Sequence, residues 1–134
     1  MNEKTKKAIA RRAVACPGWR WMPGMRATWL DDGRPARRYG SPGETAGWIS
    51  DYGGEERSIF DADALPDLDD PATLGCLLAL VREAWGDPTL CSTRWDDGWR
   101  IDSARRALDS LDSIRGATEA EALVAALEAA GGAG

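Results

Sequence analysis

Apolar positions along this chain recur with two periods, and the switching between them separates helices from strands. From Glu3 to Cys16, the residues Ile9, Ala10, Ala13, Val14 and Cys16 gather on one side and Lys4, Lys7 and Arg11 on the other, which is the spacing of an amphipathic helix. Pro17-Gly18 ends it. The stretch Trp19 to Met25 is dense in large apolar residues around a Pro-Gly turn and reads as a buried crossing. Arg26 to Leu30 and Arg34 to Tyr39 are then expected to pair as a hairpin through Asp31-Asp32-Gly33, because Asp-Gly supplies the positive φ angles of a tight turn. Ser41 to Thr45 reads as a loop, and Ala46 to Asp51 and Arg57 to Phe60 are further short strands around Gly53-Gly54.

The clearest helix follows. Asp70 suits the N-cap, and Pro71 suits the first helical position, where its missing N–H costs nothing. Leu74, Leu78, Val81 and Trp85, flanked by Leu77 and Ala84, predict a wide apolar stripe packed on a sheet, closed by Gly86 and Pro88. Leu90 to Trp95 and Trp99 to Asp102 form a second hairpin around Asp96-Asp97-Gly98, and Ser103 to Arg115 fits either a strand or a short helix. A last helix opens on Thr118 with Glu121 as a capping box and turns Leu123, Leu127 and Ala130 to one face. These elements predict an α+β fold in which an antiparallel β-sheet packs between α-helices, an α/β/α sandwich. A length of 134 residues suits a single domain with residues 131–134 as a frayed tail.

Charge changes the picture more than the net value of −5 suggests. Residues 1–40 carry ten Lys or Arg against three acids, a balance of +7, and the remainder carries −12. Opposite regions of this kind can attract each other, join copies into a homo-oligomer, or leave a basic patch for an anionic ligand. Bulk acidity disfavours duplex DNA. No membrane is expected as a partner, since apolar runs such as Leu77 to Val81 are far too short to span one. Arg11 and Arg12 interrupt any secretory h-region, so a cytoplasmic location is expected. Cys16, Cys76 and Cys91 are odd in number and widely spaced, and read as reduced, small apolar residues.

Histidine is absent, which removes Ser-His and Cys-His nucleophile pairs and most catalytic zinc sites. Asp61, Asp63, Asp67, Asp69 and Asp70 lack the spacing of a calcium loop and read as capping and solvated acids, and Gly53-Gly54 lacks the context of a phosphate loop. No metal or cofactor is expected. A hydrolase relying on carboxylates and a divalent metal is the weakest functional reading. Seven of the ten aromatic residues are tryptophan. Trp85 belongs to the core stripe. Trp19 and Trp21 flank Arg20, and Trp95 and Trp99 flank an acidic turn, so members of each pair are placed to offer flat faces that stack on a base. A guanidinium adds bidentate phosphate binding or stacking. The candidate ligand-binding set is therefore Trp19, Arg20, Trp21, Arg26, Trp29, Arg34, Trp95, Trp99 and Arg100. Thr28 to Arg34 and Thr93 to Arg100 also share a Thr, Trp, Asp-Asp-Gly, Arg order, an echo read as common turn chemistry, with a duplicated half-site as the alternative.

Three blocks, Pro17-Gly18-Trp19-Arg20-Trp21-Met22-Pro23-Gly24-Met25, Leu65 to Leu77 and Gly116 to Leu123, resemble small tailed-phage and prophage proteins of the phage ABA sandwich domain type. The resemblance implies a sheet between helical layers and a phage or prophage origin, and it carries no catalytic residue. Accessory phage proteins of this size commonly counter host immunity, an association by class rather than by site. The expectation is a non-catalytic protein that sequesters a nucleotide-derived signalling molecule. The alternative is an acidic inhibitor that covers the nucleic-acid site of a host defence protein complex.

Overall fold

In the computed structural model of the chain, the described residues are 2–29, 35–39, 47–50, 56–57, 64–105, 111 and 114–132. They form helix α1 (Glu3–Ala15), strands β1 (Arg26–Trp29), β2 (Pro35–Tyr39), β3 (Gly47–Ser50), β4 (Glu56–Arg57) and β5 (Ala64–Pro66), and helix α2 (Pro71–Trp85). Strands β6 (Cys91–Trp95), β7 (Gly98–Asp102) and β8 (Arg115–Gly116) and helix α3 (Glu119–Gly132) complete them. The fold is mixed α+β and every strand pairing is antiparallel. The strands make two sheets rather than one, a five-stranded sheet in the order β4-β3-β2-β1-β5 and a three-stranded sheet β6-β7-β8. Two compact units result, one of residues 20–76 and one of residues 1–19 with 77–134, so the boundary falls inside α2.

In the unit of residues 20–76, β1 and β2 pair as the sequence predicts, with Ala27 opposite Ala36 and Thr28 opposite Pro35. The connecting turn at Asp31-Asp32-Gly33, the loop at Ser41 to Thr45 and the Gly53-Gly54 turn lie outside the described residues. Strand β5 is an addition that the apolar pattern misses, because three residues ending in proline give no readable alternation. Ala27, Ala36 and Ala64 form a small buried cluster against which Trp21 packs. The crossing before β1 is only partly buried: Met25 is fully enclosed, while Arg20 and Pro23 are exposed.

Polar bonds join this sheet to the first turn of α2. Asp70 caps the helix by accepting from the Thr73 backbone N–H at 3.0 Å and from its hydroxyl at 2.9 Å. Arg37 donates to both Asp70 oxygens at 3.2 Å, and Arg26 pairs with Asp67 at 3.1 Å. Arg26 and Arg37 stand directly opposite on β1 and β2, where like charges repel, and each has its own carboxylate. Thr73 is fully buried, and its hydroxyl accepts the Arg26 backbone N–H at 2.9 Å. Burial pushes the Asp70 carboxyl up, but the bonds from Arg37 and Thr73 outweigh it and hold the group below the usual aspartate range.

In the other unit α3 is the central element. Ala120, Ala122, Leu123, Val124, Ala126 and Leu127 are all buried, so its apolar surface wraps well beyond the single Leu123-Leu127-Ala130 face that the sequence suggests. Small alanines allow close approach on several sides. The helix runs to Gly132, past the expected fraying point at Gly131. Thr118 accepts from the Glu121 backbone N–H at 3.2 Å, and the Glu121 carboxylate reaches back to the Ala117 N–H, a capping box displaced by one residue. Helix α1 buries Ile9, Ala10 and Ala13 as predicted, with Asn2 as its N-cap and an Arg12–Glu128 ion pair to α3. Within α2 the buried positions are Thr73, Leu77, Leu80 and Val81, whereas Leu74, Leu78 and Trp85 are half-buried and Ala84 is exposed. The stripe is thus rotated from the expected one. Trp85 donates its indole N–H to the Ala126 carbonyl at 2.9 Å. Gly86, at φ +63°, ends α2 with bonds from Gly86 to Glu83 and from Asp87 to Arg82, a Schellman arrangement.

Candidate functional site

The three-stranded sheet positions the most accessible of the candidate residues. Residues opposite each other in an antiparallel pair share a face, so the register sorts this hairpin into two sets. Ser92, Arg94, Trp99, Ile101 and Gly116 share one face. Ile101 is buried there, Ser92 donates to Glu119 of α3 at 2.7 Å, and a Cβ at Gly116 would strike Ala122 and Glu121. Helix α3 covers this face. Cys91, Thr93 and Trp95 of β6, Arg100 and Asp102 of β7 and Arg115 of β8 lie on the opposite face, where Trp95 is 44% exposed.

On that face Trp95 and Arg100 are diagonal neighbours, and the Arg100 guanidinium carbon lies 4.4 Å from the Trp95 ring centroid. A cation at this distance is held by the negative π-face of the indole. The Arg100 Nε is buried and has no hydrogen-bond partner. Its Nη2 donates to Asp97 at 3.5 Å, and Arg115 Nη1 approaches the same Asp97 oxygen at 3.7 Å. Two guanidiniums thus converge on one carboxylate in the Asp96-Asp97 turn, at distances longer than the 2.7–2.9 Å typical of charge-assisted bonds. Gly98 makes the turn possible. It carries φ +133°, and a Cβ there would sit 2.6 Å from the Gly116 carbonyl oxygen.

The other predicted site residues divide differently. Trp21 packs against the alanine cluster and Arg26 is engaged by Asp67, which gives both a structural role. Trp19 is half-buried and Arg20 is exposed. Trp99 is half-buried on the face opposite Trp95. The Trp29 side chain and the whole of Arg34 lie outside the described residues. Of the nine predicted residues the structure therefore brings Trp95 and Arg100 together on an accessible face. It adds Asp97 and Arg115, which sequence reasoning did not single out. Asp97 was signalled only by the turn, and Arg115 falls in a two-residue strand with no periodicity to read.

Elsewhere in the same unit, Asp87 is a buried acid that accepts from Ser103 and from the Thr89 hydroxyl and backbone N–H. The bond from Ser103 and then those from Thr89 hold its carboxyl down at about 2. It fastens the turn after α2 to the end of β7. Cys16, Cys76 and Cys91 are free thiols. Burial pushes Cys16 and Cys76 above the ordinary thiol range, which keeps them protonated and unreactive. Among the described residues no group of three His, Cys, Asp or Glu side chains is arranged to hold a metal, and no helix is long and apolar enough to cross a membrane.

No protein family, curated protein or solved structure matches this chain. The resemblance to the phage sandwich-domain proteins rests on its three sequence blocks alone.

Proposed function

We propose that this protein binds a nucleotide-derived small molecule on the open face of β6-β7-β8 and holds it without converting it. The observation that carries the reading is the exposed Trp95 ring backed by Arg100, with Arg115 beside them. An accessible indole offers a stacking surface for a base, worth about 1–3 kcal/mol per stacked base. The neighbouring guanidiniums supply the hydrogen-bond forks that suit a phosphate. A sheet face that presents aromatic and basic side chains together is a common platform for unstacked bases. The chain has no histidine, and retention without turnover asks for no general base.

The resemblance to phage accessory proteins supplies a setting, the sequestration of a nucleotide signal of host immunity in the host cytoplasm. Titration of the purified protein with adenosine monophosphate, a cyclic dinucleotide and ADP-ribose, followed by tryptophan emission, tests the reading. Saturable quenching by at least one of them is expected, with the ligand recovered intact after heat release. The absence of quenching by all three, or recovery of a converted product, would overturn it.

A further inference from the structure

We propose that Asp97 occupies the phosphate position of this face in the free protein and is displaced when a phosphate arrives. The inference rests on the nucleotide reading and adds to it the part of the ligand that is recognised and the residue that opposes it. Three observations carry it. Asp97 is the shared partner of Arg100 and Arg115, at 3.5 and 3.7 Å, so one carboxylate faces two cations. The side chain of Asp97 is 59% exposed, so its carboxylate is open to exchange with solvent. Both arginines lie on the Trp95 side of the sheet, and Arg100 retains a buried, unpartnered Nε.

A carboxylate offers two acceptor oxygens, whereas a phosphate monoester offers three with up to twice the charge, so the same pair of forks is better satisfied by phosphate. The cost of binding is separation of Asp97 from the arginines and its repulsion from the incoming anion. Asp97 is therefore a positioning residue that keeps Arg100 and Arg115 oriented while lowering affinity. Phosphate, rather than base, is the part of the ligand that it discriminates.

The experiment compares adenosine with adenosine 5′-monophosphate, read by tryptophan quenching, in the wild-type protein and in Asp97→Asn, Asp96→Asn and Arg115→Gln. Asp96 is exposed in the same turn, so its variant removes an equal charge and leaves the contacts of Asp97 with Arg100 and Arg115 in place. Asp97→Asn is expected to tighten monophosphate binding about five-fold, the order expected for releasing exposed ion pairs, and to leave adenosine binding unchanged. Asp96→Asn is expected to change either ligand less than about two-fold, since an exposed charge without a direct contact is screened. Arg115→Gln is expected to bring monophosphate binding down toward that of adenosine. Equal tightening by both aspartate variants, or weakening by Asp97→Asn, overturns the inference while leaving the nucleotide reading in place. Failure of both ligands to bind any of the four proteins overturns the inference, and the reading beneath it falls with it when a cyclic dinucleotide and ADP-ribose also fail to bind.

Discussion

Gly98 carries the geometry of the proposed face, and replacing it with alanine perturbs that geometry in two separable ways. A backbone at φ +133° is strained for any residue with a side chain, at a cost of about 1–3 kcal/mol. The added Cβ would also lie 2.6 Å from the Gly116 carbonyl oxygen, with the Gly116 carbonyl carbon and Ala117 Cα close behind. These are backbone atoms, so the clash is relieved only by moving β8 away from β7, which loses pairing worth about 1 kcal/mol per hydrogen bond. With one hydrogen bond lost, the two effects together come to about 2–4 kcal/mol. Gly86 gives the internal control, because it has φ +63° and open space around its Cβ position. Gly86→Ala meets only the left-handed backbone penalty of about 1–2 kcal/mol. Urea denaturation of both variants measures the difference, and Gly98→Ala should be the less stable by at least about 1 kcal/mol, with nucleotide quenching diminished in parallel. Equal destabilisation, or a larger loss in Gly86→Ala, would refute the steric account of the β7-β8 pairing.

Other predictions concern the polar bonds that hold each unit. Asp70→Ala removes a helix cap, the partner of Arg37 and the bonds to buried Thr73, and should cost about 2–4 kcal/mol in denaturant unfolding. Asp70→Asn, which keeps the cap but not the charge, should recover part of that loss. Acid should destabilise the protein in a defined window. The Asp87 carboxyl lies at about 2 in the fold against 3.8 ordinarily, so its contribution is complete above about pH 4 and is lost as pH falls through 2. Asp70, also lowered, acts in the same direction. Thermal unfolding from pH 2 to 7 in the wild type and in Ser103→Ala should show a smaller acid loss in the variant, and identical acid limbs would contradict the assignment to Asp87.

Much of this architecture is legible in the residues, and the parts that are not have physical reasons. Asp70-Pro71, Gly86 and the Thr118–Glu121 spacing locate helix ends because each satisfies a specific backbone need, independent of the rest of the fold. The buried face of α2 is misread from apolar counting because it includes Thr73, a polar residue whose hydroxyl finds partners in Asp70 and the Arg26 backbone. Helix α3 is buried on several sides through alanine, a residue that apolar patterns weigh lightly. Strands β5 and β8 are three and two residues long, too short for a period, so the sequence shows neither the partition into two sheets nor whether Arg115 ends a strand or a short helix.

At the proposed site, the Asp96-Asp97-Gly98 turn predicts the hairpin. The register of that hairpin places Trp95 and Arg100 on one face and Trp99 on the other, a distinction that the tryptophan pairs alone do not make. Arg26 looks like a ligand-binding residue in sequence because its carboxylate partner, Asp67, is 41 residues away.

The proposed function requires Trp95 to be a stacking surface rather than a structural residue. Calorimetric titration of adenosine 5′-monophosphate into the wild-type protein and Trp95→Ala, with the unfolding midpoint of each measured alongside, tests it most directly. Binding by the wild type is expected, with a loss of about ten-fold or more in Trp95→Ala and a stability change within about 1 kcal/mol, since the substitution removes an exposed ring and one cation–π contact. Unchanged affinity in Trp95→Ala would contradict it, as would a wild type that binds none of adenosine monophosphate, a cyclic dinucleotide and ADP-ribose.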